Sequence, residues 1–337
     1  MSTATNVILI TGFLGSGKTT FLNRIIKTFP DDQKLMILMN EFGEIGLDGT
    51  LIEGDDIDIL EISKGSIFCV CVKTDFIRSL NEIAQTIKPD VLIVESTGVA
   101  NPSDLKKDLK LSIFNNRFQM KEQICIIDAE SFEDAYQTFV SVEKQIESST
   151  LFVINKVDLV PDGTIAEIKA IVAKHHPSPE FYETTYADIP MEKLFAKQVE
   201  ALERPDGPAL SSDELEAAIE KLLENPDTNA TPPDRLLSAI YSWTGTDIQS
   251  FKTLVKLFPK KLVRSKGFLT QGTTLYLFNL VMSRHTIEVY SSAKDCTALI
   301  NRIVFIGPPE VIKELEALSL EHPELSKQSV FDPMLSN

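Results

Sequence analysis

Cysteine is scarce in this chain, with four residues at positions 69, 71, 125 and 296 among 337. Such a set builds no disulfide framework, which excludes the small stapled secreted scaffold; paired thiols in a reducing compartment belong more often to metal or catalysis. Histidine is as rare, four in all, and the pair His175-His176 ends a helical pattern and reads as a solvated helix terminus. Basic charge is in deficit: 33 Lys and Arg face 49 Asp and Glu, for a formal net charge of −16. That balance argues against nonspecific binding to nucleic acid or anionic membranes and favours a small-molecule or protein partner. No uninterrupted apolar run reaches about 18 residues, and the N-terminus carries no basic leader region. A soluble, cytoplasmic protein is expected.

What is present is a hydrophobic fraction of 43% in a length sufficient for two domains with real cores. Short apolar runs, NVILI (6–10), KLMILM (34–39), VLIV (91–94), QICIID (123–128) and TLFVIN (150–155), alternate with the amphipathic stretches FLNRIIKTF, FIRSLNEIAQTI and FEDAYQTFVSVEKQI. The alternation predicts an α/β domain, three layers around a mostly parallel sheet covered on both faces, over residues 1–195. Residues 201–235 hold nine acidic residues, three basic ones and five prolines around one short helical pattern, DELEAAIEKLL. This composition predicts an acidic, proline-containing linker at 196–234. Beyond it, RLLSAIYSW, a helical DIQSFKTLVKLF, the strand candidates KGFL, TTLYLFNLVM, TIEVYS and RIVFIGP, and a last helix PEVIKELEALS predict a smaller α+β domain at 235–337.

The strongest chemical signal is TGFLGSGKT at 11–19, a G-x-x-x-x-G-K-[ST] pattern lying directly after a strand and before a helix. Gly12, Gly15 and Gly17 let the backbone take positive φ and approach a phosphate, so that successive N–H groups form an anion-binding nest. Lys18 is the candidate catalytic cation on the β and γ phosphates, and the Thr19 hydroxyl is a candidate Mg²⁺ ligand. Ser16 and Thr20 complete the phosphate set at the positive end of the following helix.

Two further segments address the nucleotide. VLIVESTG (91–98) is an apolar strand ending in Glu95 and followed by Gly98; the carboxylate is placed to hold Mg²⁺ through water or to position an attacking water. NKVD (155–158) follows the strand TLFVI. The Asp158 carboxylate can accept hydrogen bonds from the N1–H and amino group of guanine, which adenine does not offer, so Asn155, Lys156 and Asp158 point to GTP over ATP.

Together TGFLGSGKTT, NEFGEIGLDG (40–49), EISKG (61–65), VESTG and NKVDLV resemble the CobW-like P-loop GTPases, a group associated with metal delivery and cofactor assembly. The likeness spans most of residues 6–160 and extends, less specifically, to the C-terminal stretch. It implies that Glu41 and Glu44 lie in a switch region that responds to the nucleotide. In that family the glycine matching Gly65 is usually followed by Cys-x-Cys-Cys, a thiolate metal site. Here the positions read Ser66, Ile67, Phe68 and Cys69, so two thiols are missing and Cys71 is an extra one. If 66–72 is extended, Cys69 and Cys71 share a face, and with Glu44 as a third ligand they form a candidate site for Zn²⁺ or Co²⁺. The competing reading is a pair of small core residues. Many relatives carry a histidine-rich stretch near the linker that this chain lacks, which weakens a storage role.

The resemblance therefore implies a Mg²⁺-dependent GTPase, cycling between GTP and GDP, that serves as a metallochaperone or assembly factor for a metalloprotein or corrinoid-type (cobalamin) client. Slow intrinsic turnover is expected, since no arginine adjoins the phosphate motif in sequence. A metal-independent regulatory switch and, behind it, a small-molecule kinase on the same loop are the alternatives.

Overall fold

A computed structural model of the chain describes residues 4–40, 58–62, 70–96, 98, 102–114, 116–191, 194, 212–223, 234–282, 284–291 and 297–331. Its first unit is a sheet of seven strands: β1 (Thr5–Thr11), β2 (Leu35–Asn40), β3 (Asp58–Ile62), β4 (Val91–Glu95), β5 (Phe118–Asp128), β6 (Leu151–Asn155) and β7 (Glu180–Thr184). They lie in the order β3-β2-β4-β1-β5-β6-β7, and every pairing is parallel. Strands β3 and β7, absent from the sequence reading, are its two edges.

The central strands are apolar throughout because both faces are covered. Along β1 the side chains alternate: Val7 and Leu9 pack with Phe76, Leu80 and Leu105, while Ile8 and Ile10 pack with Phe21, Leu22 and Ile25. The helices concerned are α1 (Lys18–Thr28), α2 (Val70–Glu82) and α3 (Pro102–Leu109). The stretch FEDAYQTFVSVEKQI is divided into α4 (Phe132–Thr138) and α5 (Val140–Ser148) by an extended Phe139, whose ring stacks on Phe13 of the phosphate loop at 4.9 Å. Helix α6 (Asp162–Ala173) follows β6. Within the acidic stretch, α7 (Ser212–Leu223) lays Leu215 and Ile219 into the core beside α2, and Glu216 forms a two-pronged ion pair with Arg78.

The second unit is an antiparallel sheet of β8 (Leu237–Trp243), β9 (Arg264–Gln271), β10 (Thr274–Val281), β11 (Arg284–Val289), β12 (Arg302–Gly307) and β13 (Leu325–Phe331), ordered β11-β10-β9-β12-β8-β13. One face carries α8 (Ile248–Val255) and α9 (Pro309–Glu321) over a core of Tyr241, Phe251, Phe258, Phe278 and Phe305. The other face presents Ile240, Val263, Phe268, Val304 and Ile306 to the same hydrophobic cluster as Phe13, Phe132, Val142 and Ile154 of the first unit. The two sheets thus share one core. No helix among the described residues is long and apolar enough to cross a membrane.

A polar contact fixes the entry to the second unit. The backbone N–H groups of Val140 and Ser141, at the start of α5, donate to the two carboxylate oxygens of Asp234 at 3.1 and 2.8 Å. Asp234 therefore caps a helix that lies 93 residues earlier in the chain. Replacing Asp234 by Ala is expected to lower stability by about 1 kcal/mol, read as a lower midpoint in urea unfolding. A midpoint equal to wild type would show that the cap contributes nothing.

Candidate functional site

Parallel strands end on one side, and the C-terminal ends of β1, β4, β5, β6 and β7 form the edge that holds the candidate nucleotide residues. Register aligns them: Ile10 with Glu95, Asp128 with Asn155, and Asn155 with Thr184. The phosphate loop leaves β1 and enters α1 through Gly12, Gly15 and Gly17, with φ of 139°, 80° and 106°. Gly17 is the N-cap of α1, and a Cβ there would lie 2.4 Å from Asn155 Nδ2, so no larger residue fits. Lys18 is buried and its ammonium donates to the carbonyls of Gly12 at 2.9 Å and Phe13 at 3.3 Å. The buried Ser16 hydroxyl finds no hydrogen-bond partner among the described residues. Thr19 is half-buried and Thr20 exposed in the first turn of α1.

Glu95 is buried at the end of β4, level with the last apolar residue of β1. Gly98 lies against the loop: a Cβ there would stand 2.6 Å from Leu14 N, and its carbonyl accepts from Gln145 Nε2 at 3.0 Å.

On the other side of the loop, the Asn155 carboxamide donates to Ser16 O at 2.9 Å and accepts from Ala187 N at 2.8 Å. Lys156, in the left-handed region, reaches Asp128 Oδ2 at 2.6 Å. Asp158 is exposed, and its carboxylate accepts from the Thr185 hydroxyl at 3.0 Å. The loop after β7 was missed by the sequence reading, yet Thr185, Tyr186 and Ala187 stand beside the guanine-directed residues. Arg24 of α1 holds it through Tyr186 O at 2.6 Å and Asp188 at 3.1 Å.

Part of this set lines a cleft of about 590 Å³, within the range of small-molecule sites. Its lining includes Gly15, Gly17, Asn155, Lys156 and Asp158, and a further wall comes from the β10–β11 hairpin of the second sheet. Arg284 of that hairpin pairs with Glu130 at 2.5 Å. Sequence reading had no means to bring an arginine from 284 to this edge. The arrangement can bind an anion on the loop amides and Lys18, and a planar heterocycle with vicinal N–H donors at Asp158.

The thiol site changes character. Cys71 stands in the first turn of α2, not in a strand. The extended backbone on which the expected shared face depended does not reach Cys71. Glu41, Glu44 and Cys69 lie outside the described residues, as does Cys296. Cys125 is buried within the sheet, where burial pushes its thiol up to about 12 against the opposing pull of Lys18. It stays protonated at neutral pH and acts as a packing residue. The two histidines are also more embedded than a solvated terminus: His175 Nε2 lies 2.9 Å from the Tyr136 hydroxyl, and His176 Nε2 lies 2.6 Å from Ile146 O with its ring against Phe152.

Comparison with known proteins extends this picture. Residues 6–183 match the family described as CobW/HypB/UreG, nucleotide-binding domain. The zinc chaperone YeiR of Escherichia coli (strain K12) is 32% identical over 155 residues, 46% of this chain and 47% of that protein. Zinc-regulated GTPase metalloprotein activator 1 of Dictyostelium discoideum is 23% identical over 226 residues, 56% of this chain and 47% of that one. The zinc chaperone CobW of Pseudomonas aeruginosa is 24% identical over 236 residues, 60% of this chain and 62% of that one. The chain thus spans between about half and three-fifths of the length of these relatives. Among solved structures, the Zn(II)-bound YjiA GTPase from E. coli aligns with 94% of this chain and 99% of that one at 19% identity, with a TM-score of 0.43. On the family match the chain belongs to the CobW/HypB/UreG family and carries its nucleotide-binding domain over residues 6–183.

Proposed function

We propose that this protein binds GTP with Mg²⁺, hydrolyses it slowly, and uses the cycle to deliver a metal ion to a protein client. The observation that carries the reading is the convergence of the phosphate loop, Glu95 and Asp158 on one strand edge, where Gly15, Gly17 and Asp158 line a common cleft. The loop amides and Lys18 receive the phosphates, with the Lys18 ammonium exchanging its carbonyl partners for the β and γ oxygens. Asp158 accepts from the guanine edge while Asn155 holds its loop against the phosphate loop.

The donor set suits Mg²⁺, a hard cation that takes oxygen ligands: the Thr19 hydroxyl and the buried Glu95 carboxylate are the oxygens at that end. When bound there, Mg²⁺ neutralises charge on the β and γ phosphate oxygens. Glu95 is also the group placed to orient the attacking water.

Zinc is the cargo that the names of the relatives support. Cobalt and a corrinoid-type client rest on the family resemblance alone. Cys69 and Cys71, with Glu44, remain the proposed metal ligands, and the reduced thiol count keeps a metal-independent switch as the second reading. Domain boundaries are proposed at 1–195, 196–234 and 235–337, with α7 of the middle stretch packed back on α2.

Titration at one Mg²⁺ concentration is expected to show GTP bound well ahead of ATP; equal affinities would remove the guanine assignment. Asp158→Asn should cost roughly 10- to 100-fold in GTP affinity, the worth of charge-assisted hydrogen bonds lost, and Lys18→Ala should abolish triphosphate binding or hydrolysis without unfolding the chain. Glu95→Gln should retain nucleotide yet slow single-turnover hydrolysis by about 10²-fold, and unchanged turnover would take Glu95 out of the chemistry.

For the cargo, Zn²⁺ and Co²⁺ competition titrations on wild type and Cys69→Ser/Cys71→Ser, with GDP and with a nonhydrolysable GTP analogue, separate the readings. Metal affinity should rise in the GTP form of wild type by a factor within the usual coupling range, about 5- to 150-fold, and the double variant should lose that rise. Identical binding by both proteins in both states would favour the metal-independent switch.

A further inference from the structure

The nucleotide cleft is walled on one side by a part of the chain that the phosphate-loop motifs do not include. Val281, at the end of β10, rests on the backbone of the phosphate loop: a Cβ built on Gly15 would lie 2.3 Å from Val281 Cγ2 and 2.9 Å from Cγ1. Three residues on, Arg284 opens β11 and pairs with Glu130 across the mouth of the cleft at 2.5 Å. Glu130 is itself tied to the base-directed side, since its N–H donates to Asp128 Oδ1 at 3.1 Å and Asp128 Oδ2 meets Lys156 at 2.6 Å. A continuous polar chain thus runs from the second sheet to the guanine-directed segment.

The end of the nucleotide that this wall covers can be read from the lining. The described residues around the cleft include Asn155, Lys156, Asp158, Thr185 and Tyr186 on the base side and Gly15, Gly17 and Thr20 of the phosphate loop, but not Lys18, Thr19 or Glu95, which belong to the γ phosphate. Strand β11 is a sheet edge whose side chains are largely exposed, with Ile287 packed against the second sheet's own core.

We propose that the β10–β11 hairpin is the fourth wall of the nucleotide site, with Val281 as its seat on the loop and the Arg284–Glu130 pair as its latch, and that it sets how long a guanine nucleotide of either charge state stays bound. This rests on the GTP reading above. A bound nucleotide lies between the loop and the hairpin, so lifting Val281 from Gly15 and parting Arg284 from Glu130 widens its exit. The base and ribose are common to GTP and GDP, and the wall therefore holds both alike. Release is then linked to the position of the C-terminal sheet.

The test is the release rate of fluorescently labelled GDP and of a labelled nonhydrolysable GTP analogue, chased by unlabelled nucleotide, from the full chain. A partly exposed ion pair of this kind predicts that Arg284→Ala accelerates release about two- to fivefold. Adding Val281→Ala, which removes apolar contact with the loop, should bring the acceleration to about tenfold. Both nucleotides should shift by the same factor within about twofold. The charge swap Arg284→Glu with Glu130→Arg should return release toward wild type, which a merely misfolded hairpin would not do; thermal unfolding of each variant establishes that it is folded. Release unchanged in the folded double variant overturns the proposal. So does acceleration confined to the GTP analogue, which would put Arg284 at the γ phosphate. Failure of wild type to bind either nucleotide overturns the GTP reading and this inference with it, whereas wild-type binding with unaltered variant release overturns this inference alone.

Discussion

One buried carboxamide organises the nucleotide edge of the sheet. Asn155 ends β6, and its side chain spends its donor on Ser16 O of the phosphate loop and its acceptor on Ala187 N of the loop after β7. Its own carbonyl takes the N–H of Ala129, just beyond β5. Three loops from three strands are therefore indexed to one residue, in a place where an unmet amide would cost about 1–3 kcal/mol. The amide's orientation follows from its partners, a carbonyl on one side and an N–H on the other, so the network admits one arrangement. Gly17 is the complement of that choice: the amide occupies the volume a side chain would need.

The same economy governs the junction of the two units. The face of the antiparallel sheet turned away from α8 and α9 is apolar at Ile240, Val304 and Ile306, and it must be covered. It is covered by the α4–α5 layer of the first unit, where Phe139 breaks the helical run and turns its ring onto Phe13. The aromatic break thereby joins the phosphate loop to the shared core. Motion of the second sheet relative to the first would disturb residues directly behind the loop, a mechanical link that the acidic composition of the stretch between the units does not by itself suggest.

Much of the first unit was legible because its determinants are local. The central strands read as continuous apolar runs, and the glycine motif sits between a strand and a helix, as its chemistry requires. The strands of the second sheet were legible for a related reason, β-branched and aromatic residues bounded by turns. What escaped has non-local causes. Strand β3 is DILEI, too acidic to stand out, and is recruited by the free edge of β2. Strand β7, EFYET, is a sheet edge with half its residues exposed or nearly so, and carries little hydrophobic signal. The thiol segment reads with a strand period, whereas Val70–Glu82 is one helix whose Phe76, Ile77 and Leu80 pack into the core. Arg284 was out of reach altogether, since a pairing between residues 130 and 284 exists only once two sheets are packed.

That last case bears on how the phosphate motif itself should be read. A glycine-rich loop is ordinarily explained by its ligand: glycines permit left-handed backbone and let amides approach phosphate. Here the protein imposes the same demand before any ligand arrives. At Gly17 the space is held by Asn155, and at Gly15 it is held by Val281 from the far domain, each close enough that a single methyl group would collide. Gly15 also has φ of 80°, so an alanine there would meet backbone strain and Val281 together. The loop's composition is thus fixed from both sides, by the anion it is shaped to receive and by the neighbours that shape it. It follows that the cleft is bounded by both sheets, and that the motif in residues 11–19 specifies only the part of it that lies within reach of one strand and one helix.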